Sequence, residues 1–352
     1  MKEDKNDNRQ FLYDILSDYS PSGGELNMQK KIIDMMKDID DEVICNHNYN
    51  VTHVVNPKSD MKILFCAHID EIGLYVDEIL DNGLIKLNRI GHIRPYVYIS
   101  QQVKVITRDK NKENASGIIG YLPNMNKGIE VSDLRLDIGA RNKEEAEQLV
   151  SIGDYVLHAS SYQLLANDRL SARALDDKIS VYILREVLRR AKEKGCENGL
   201  YAAFTVGEET TGRGAKIACD IVKPDLAIVL DVSYVNDVNY LEGLHGETKL
   251  GGGPILEIGS LVNDKIDEIL REIAKDKNMK IQNTVDSSNT YTDLDSIYDR
   301  CGGVVGYLVN IPLRYMHSSV EVCDMKDIED IIELLVEFCF RINKQTSFNP
   351  FE

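Results

Sequence analysis

Histidine and acidic side chains stand at the ends of several apolar segments of this sequence, where they could bind metal ions. They are His68, Asp70, Asp176, Asp177, Glu208, Glu209, Asp231 and His317. Most follow short apolar runs such as ILFCA and LAIVL, which are typical of buried strands, whereas the Asp176–Asp177 pair precedes a predicted helix. Because sites in open α/β sheets form outside the carboxyl ends of the strands, we expect these groups to meet at one sheet edge.

Metal binding explains this set of residues better than separate structural roles do. Any single member could cap a helix or end a strand, and for one residue alone that explanation would be preferred. Carboxylates that converge beside apolar strands, however, repel one another and keep their protons unless cations bind. Two histidines with several carboxylates and no cysteine suit Zn, Co or Mn. His68 and Asp70 are two residues apart, so in a continuing strand the carboxylate would orient the imidazole.

The elements that would hold these residues fall into two patterns. A helix is predicted over 25–39, and beyond residue 170 apolar strands alternate with amphipathic helices, which indicates a mostly parallel sheet flanked by helices. Between these regions, short alternating segments separated by Gly, Asn and Asp indicate a small β-barrel that one helix interrupts. We therefore predict an α/β catalytic domain of residues 1–70 and 164–352, with a β-barrel domain of residues 71–163 inserted into it.

The composition restricts the partners and the compartment. The chain has 352 residues and a formal net charge of −17, which argues against nucleic-acid and anionic-membrane binding because both need basic surfaces. No apolar stretch approaches the roughly 20 residues of a membrane span, and the charged beginning MKEDKNDNRQ has no apolar signal core. The seven cysteines are scattered without a C-x-x-C pair, which predicts reduced, buried thiols. We expect a cytoplasmic protein.

Several motifs follow one another in a fixed order along the chain. They are AHIDEIG, ALDDKIS, GEETTGRGA, IVLDVS, LGGGP, YTDLDS and IPLRYMHSSVE. This ordered set resembles the tetrahedral aminopeptidases, dinuclear metallopeptidases also labelled glutamyl aminopeptidase, deblocking aminopeptidase or cellulase M, and the similarity runs from about Ser20 to Leu335. The resemblance implies a metal-dependent hydrolase that removes N-terminal residues from peptides. It also implies an α/β peptidase domain with an inserted barrel, and assembly into a homo-dodecamer in which the barrel would serve oligomerisation.

Two divalent metal ions per subunit are implied by the same resemblance. His68 and Asp231 would hold one ion, Glu209 and His317 would hold the other, and Asp176 would bridge both. Zinc is the expected metal, with cobalt or manganese as alternatives.

The resemblance further implies roles for the residues around these ligands. Glu208 matches the general base that activates a water shared by the two ions, and Asp70 matches the residue that orients His68. In related two-metal peptidases the bridging aspartate precedes a cis peptide, so the bond between Asp176 and Asp177 is predicted to be cis.

The chain departs from the family pattern at a few positions. These are His92, Lys178, Thr210, Thr211 and Tyr291. None of them removes an implied ligand or the implied base. We therefore expect them to alter the shape of the substrate pocket and with it the specificity.

Other functions would use some of the same features. A metal-dependent deacylase or a carboxypeptidase-like hydrolase would share the ligands and differ in the pocket. A glycosidase also uses paired carboxylates, but sugar clefts favour aromatic platforms and this chain has no Trp. A non-catalytic, metal-stabilised assembly protein would have no need of Glu208. The aminopeptidase is therefore the first expectation.

Overall fold

The structure, a computed structural model, describes residues 3–120, 128–238 and 247–349 and residue 351. The α-helices are α1 (Glu3–Leu16), α2 (Leu26–Met36), α3 (Lys143–Leu149), α4 (Leu175–Glu193), α5 (Glu208–Thr211), α6 (Arg213–Val222), α7 (Asp264–Asp276), α8 (Asp293–Ile297) and α9 (Met325–Arg341). The β-strands are β1 (Glu42–Cys45), β2 (Val51–Val55), β3 (Lys62–His68), β4 (Gly73–Ile79), β5 (Ile85–Ile90), β6 (Gln101–Ile106), β7 (Ala115–Ile119), β8 (Arg135–Asp137), β9 (Tyr155–His158), β10 (Gln163–Leu165), β11 (Arg169–Ala172), β12 (Gly199–Thr205), β13 (Leu226–Tyr234), β14 (Ile255–Gly259), β15 (Gln282–Asp286), β16 (Gly306–Leu313) and β17 (Glu321–Asp324). Short 3₁₀ helices cover Pro95–Tyr98, Val131–Asp133, Ala166–Asp168 and Arg300–Gly302.

The largest sheet has eight strands in the order β1-β2-β12-β3-β13-β16-β14-β15. Its centre is parallel, since β12, β3, β13 and β16 run in the same direction. Antiparallel pairs occur towards the edges, where β2 meets β1 and β12, and where β14 meets β16. The prediction of a mostly parallel sheet flanked by helices is therefore confirmed, with antiparallel pairs on both sides of its parallel centre.

Both faces of the central sheet are covered, which explains why its strands are apolar at successive positions. Ile63, Phe65 and Ala67 of β3 join a core with α4, α7 and α9, whereas Leu64 and Cys66 join a second core with α6 and α8. Successive side chains of a strand point to opposite faces, so only a strand with helices on both sides buries such a continuous run.

Six strands close into a barrel in the order β4-β5-β8-β7-β6-β9, and each neighbouring pair is antiparallel. Its core is separate from the two cores of the large sheet and includes alternate strand residues such as Leu74 and Val76. Alternation of this kind places one side chain in the barrel interior and the next outside. The predicted inserted barrel is confirmed, and α3 is the helix that interrupts it. The exact domain boundaries stay a prediction.

Helix α1 precedes the first helix that the sequence pattern predicts. Its first half is charged, and its apolar stripe is confined to Phe11, Leu12, Ile15 and Leu16, which are buried. Such a stripe covers little more than one turn, so it is difficult to recognise as a helical period.

Two expectations about the surface and the thiols can be compared with the structure. Among the described residues, no helix combines the length and the apolar character that a membrane crossing requires. All seven cysteines are free thiols, and five are buried as predicted. Cys45 and Cys301 are exposed, contrary to the prediction, because they lie on the edge strand β1 and in a 3₁₀ turn.

Candidate metal centre

Four neighbouring parallel strands bring the predicted residues to one edge of the large sheet. His68 is the last residue of β3, Glu208 and Glu209 begin α5 just after β12, and His317 lies in the loop after β16. Asp231 lies inside β13 rather than after it, because this strand continues beyond the residue. The carboxyl ends of these strands therefore form one concentrated site.

The side chains at this edge form two groups that share one carboxylate. Ligand atoms of His68, Asp176 and Asp231 all lie within 4.8 Å of one another, and so do those of Asp176, Glu209 and His317. The two oxygens of Asp176 face different histidines, at 3.1 Å from His68 Nε2 and 3.1 Å from His317 Nε2. The structure thus brings the five residues that were predicted to bind metal together in two groups, and their binding of metal ions stays a prediction.

The donor atoms of both groups fit divalent metal ions. Each group offers one imidazole nitrogen and carboxylate oxygens, with no thiolate, which suits Zn, Co or Mn. Glu209 Oε1 is buried and receives no hydrogen bond within the described residues, although His317 Nε2 lies 3.5 Å away. Its lone pairs therefore remain available to a cation.

The shared carboxylate lies where α4 begins. Asp176 and Asp177 do not have helical backbone angles, and the peptide bond between them is cis, as predicted. Asp176 is almost fully buried, so its two oxygens are directed into the protein towards the histidines.

The site carries an excess of buried negative charge. Burial raises the pKa of Glu208 to about 10, with repulsion from Asp231 adding to the shift, and burial also raises the pKa of Asp231 and Glu209. Burial alone would raise the pKa of Asp176, but hydrogen bonds from the two histidines hold it below its usual range. Burial opposes the charge of His317, yet its contacts with Asp176 and Glu209 raise its pKa to about 12. Bound cations would favour the charged forms of these carboxylates and so lower the raised pKa values.

Asp70 lies close to His68 with both its backbone and its side chain, and its role in orienting His68 stays a prediction. The Nδ1 atom of His68 lies 3.0 Å from the main-chain carbonyl oxygen of Asp70 and 3.7 Å from its carboxylate. The carboxylate instead accepts hydrogen bonds from the backbone N–H groups of Glu208 at 3.0 Å and Glu209 at 3.3 Å. Asp70 therefore fixes the start of α5 with its side chain and meets the imidazole with its backbone.

The barrel supplies one wall of the site. The loop after β5 turns at Gly91, whose φ of +69° favours glycine and where an added Cβ would lie 2.8 Å from Ile72 Cγ2. The next residue, His92, accepts a hydrogen bond from Nδ1 of His317 through its carbonyl oxygen, at 3.1 Å. A barrel loop thus orients one of the two histidines of the centre.

A cleft of about 720 Å³ opens above the two groups of side chains. Four of the five positions that depart from the family pattern line it: His92, Thr210, Thr211 and Tyr291. Lys178 does not, because its side chain is fully buried and its Nζ atom lies 2.9 Å from the carboxylate of Glu71. The expected effect on the pocket therefore does not apply to Lys178.

Two buried acidic residues next to the centre, Asp293 and Glu321, were not among the site residues predicted from the sequence. Asp293 accepts a hydrogen bond from the Thr205 hydroxyl at 2.5 Å, and burial raises its pKa to about 6. Glu321 binds the backbone of two of the predicted ligands. Its position four residues after His317 could have indicated a contact with that histidine. A glutamate at the start of a strand does not by itself indicate a contact with the distant segment that contains Asp176.

A mostly parallel α/β sheet with an inserted barrel, and a histidine–carboxylate centre at its strand ends, place the protein among the metal-dependent peptidases. A model of the peptidase M42 family, described as M42 glutamyl aminopeptidase, matches residues 50–334. The chain belongs to this family of aminopeptidases, which are hydrolases that use divalent metal ions.

Relatives match over almost the whole length of the chain. A putative aminopeptidase of Acetivibrio thermocellus is 32% identical over 93% of this chain and 98% of its own length. The crystal structure of a TET aminopeptidase from a marine sediment Thaumarchaeota archaeon superposes with a TM-score of 0.91 at 30% identity, covering 97% of this chain and 98% of that one. The TET1 peptidase of Pyrococcus horikoshii, which can assemble into a tetrahedron or a large octahedral shell, has a TM-score of 0.85 at 28% identity and covers 95% and 100%.

Proposed function

We propose that the protein is a two-metal aminopeptidase that hydrolyses the N-terminal peptide bond of peptides, with Glu208 as the general base. The observation that carries this proposal is the pair of ligand groups that share Asp176 beneath an open cleft. Glu208 lies next to them, with Oε2 at 3.8 Å from His68 Nε2, and its side chain is 14% exposed.

In this proposal the two groups bind one divalent ion each. His68 and Asp231 would hold the first, Glu209 and His317 would hold the second, and Asp176 would contribute to both. Zinc is the proposed metal, with cobalt or manganese as alternatives. When bound, the ions supply an acidified water and polarise the scissile carbonyl.

Glu208 moves the proton in the proposed reaction. Its carboxylate accepts a proton from the attacking water and later delivers it to the leaving amine. Its pKa of about 10 without cations is too high for a base near neutral pH, and neutralising the charge of Asp231 and Glu209 lowers it. The hydrogen bond between the Glu208 N–H and the Asp70 carboxylate keeps the side chain beside the ligands.

A panel of aminoacyl-anilides tests the activity. The metal-stripped protein is refilled with Zn, Co or Mn and assayed on acidic, basic and apolar substrates, each with a free or an N-acetylated amine. Hydrolysis of the free-amine substrates alone supports the aminopeptidase. A preference for N-acetylated substrates would indicate a deacylase instead.

Two adjacent glutamates give the sharpest test of the mechanism. We expect Glu208→Gln to lower kcat by about 10²- to 10⁴-fold, because the base is lost, while both ions remain bound. Glu209→Gln should instead lose one ion, because it removes a charged ligand. Elemental analysis of the dialysed proteins measures the ions. Near-normal turnover by Glu208→Gln would show that another group is the base.

The same proposal includes peptides as substrates and self-association as a homo-dodecamer. Self-association is supported by the Pyrococcus horikoshii relative, which can assemble into a tetrahedron or a large octahedral shell. Residues 1–70 and 164–352 form the catalytic domain, and the barrel of residues 71–163 takes part in oligomerisation. Ile118, Leu149 and Ile152 are exposed apolar side chains of the barrel and are the candidates for such a contact.

A further inference from the structure

We infer that Glu321 is a positioning residue that holds the backbone of Asp176 and of His317 in place for metal binding. Its Oε2 atom accepts a hydrogen bond from the Asp176 N–H at 3.1 Å, and its Oε1 atom accepts one from the His317 N–H at 2.7 Å. Glu321 itself is only 2% exposed. The inference rests on the proposed function, because it assumes that Asp176 and His317 are ligands.

The two segments joined by this carboxylate are far apart in the sequence. Asp176 lies at the start of α4, and His317 lies in the loop between β16 and β17. In the proposed centre His317 belongs to one ion and Asp176 to both. A single carboxylate thus joins the backbone of two segments that would each supply a ligand.

The position of Glu321 is itself fixed by strand pairing. It is the first residue of β17 and pairs with Ala172 of β11 in a small antiparallel sheet. The next residue, Val322, exchanges two backbone hydrogen bonds of 3.0 Å with Arg314, which closes the loop that contains His317. The carboxylate therefore projects from a rigid base.

His317 needs such support because its backbone is strained. Its φ is +63°, and that of Tyr315 is +62°, in a region that costs a residue other than glycine about 1 kcal/mol or more. Glu321 holds the backbone N–H of His317, while the His92 carbonyl holds its ring at Nδ1. Together these contacts fix both the backbone and the ring orientation of this histidine.

Both carboxylate oxygens of Glu321 are used as acceptors, so an amide cannot replace it. Glutamine retains one acceptor oxygen and replaces the other with an NH₂ group, which can only donate. In Glu321→Gln, one of the two backbone N–H groups faces a donor. Either Asp176 or His317 must then move.

Asp327 provides a matched control for this substitution. It is fully buried, and its two oxygens accept hydrogen bonds from the backbone N–H groups of Gly251 at 2.7 Å and Gly253 at 2.8 Å. Asp327→Asn therefore removes the same kind of double contact from backbone outside the centre. Loss of stability without any effect on metal binding is the result expected for a purely structural carboxylate.

The experiment measures zinc binding by the full-length protein in equilibrium dialysis, together with the melting temperature. We expect Glu321→Gln to weaken the binding of at least one ion by about 10- to 100-fold, as loss of a group that orients ligands does. Saturating zinc should restore much of kcat, since the base is intact. Asp327→Asn should lower the melting temperature and retain zinc affinity equal to that of the unmodified protein.

Equal zinc affinity in Glu321→Gln and in the unmodified protein would overturn the inference. If Glu321→Gln does not fold, Glu321→Asp is used. Its side chain is one methylene shorter, so its carboxylate no longer reaches both backbone N–H groups without a shift of the segments, and unchanged zinc affinity in that variant would also overturn the inference. Failure of the unmodified protein to bind two ions would contradict the proposed function instead, so the two outcomes are distinguishable.

Discussion

His158 is a buried histidine beside the metal centre that the proposed reaction does not use. Its ring stacks on that of Tyr98 with centroids 4.0 Å apart, and within the described residues neither ring nitrogen has a hydrogen-bond partner. Burial, together with the positive charge of Arg173, lowers its pKa from 6.5 to about 4. The folded protein therefore keeps this imidazole neutral at pH values at which the unfolded chain binds a proton.

This difference predicts a loss of stability in mild acid. Between pH 6.5 and 4 the unfolded state binds a proton that the folded state does not, so the free energy of unfolding falls by about 3 kcal/mol as the pH falls through this window. His158→Phe keeps the aromatic stack and removes the proton. Denaturant unfolding at several pH values should show that the free energy of unfolding changes less with pH in the variant than in the unmodified protein. The same change with pH in both proteins would contradict the prediction.

At the scale of residues, the sequence predicts which side chains at the strand ends form the centre. It predicts few of the residues that support them. His68, Glu209 and Asp231 are recognisable because a polar residue interrupts or follows an apolar strand. Glu321 and His158 are not recognisable, because their importance depends on contacts with distant segments. Nor could the sequence predict that the carbonyl oxygen of Asp70, at 3.0 Å, would lie closer to His68 Nδ1 than its carboxylate does, at 3.7 Å.

At the scale of elements, the short helix α5 decides how the centre is arranged. It carries Glu208 and Glu209 on adjacent positions, and its first two N–H groups are bound by the Asp70 carboxylate. Asp70, in the segment after β3, supplies the negative charge at this helix start. Its two hydrogen bonds therefore connect the end of β3 to the start of α5.

Asp70→Asn is predicted to disturb α5 rather than His68. The amide keeps one acceptor oxygen for two N–H groups, while the carbonyl contact with His68 remains. We expect kcat/KM and zinc affinity to fall by about 10-fold or more, as loss of an orienting contact does. Asn263→Ala is the control, because Asn263 also accepts two backbone hydrogen bonds at the start of a helix, α7.

The control should lose about 1 kcal/mol of stability and keep its activity, as the loss of a helix cap far from the centre does. Unchanged kcat/KM in Asp70→Asn, in a protein that binds zinc normally, would show that the contact with α5 is not needed.

At the scale of the whole molecule, the pattern of the sequence predicts the architecture well. Continuous apolar runs such as ILFCA indicate strands covered on both faces, and short alternating segments indicate the barrel. The pattern cannot show which strands become neighbours, such as β2 beside β12, because pairing across such distances leaves no local signal. It also cannot show that a barrel loop enters the catalytic cleft.

Assembly is the property of the whole molecule that the barrel surface should control. Ile152 is 71% exposed in a turn of the barrel, and we expect Ile152→Asp to reduce the mass of the particle measured by light scattering, because a charge would be buried at a contact. Ile221→Asp is the control, since Ile221 is an exposed isoleucine on helix α6 of the other domain. If both changes reduced the mass of the particle equally, or if neither reduced it, a special role for the barrel would be contradicted.

The loop at Gly91 and His92 has a consequence for the history of the protein. A domain inserted into an enzyme can usually diverge, or be exchanged between relatives, as long as its junctions are kept. Here the insertion carries the carbonyl group that orients His317, and it carries Gly91, at which an added Cβ would lie 3.1 Å from the carbonyl oxygen of Glu209. Selection for catalysis must therefore act on both parts of the gene together, and a chimaera with a foreign barrel would inherit a foreign wall of its active site.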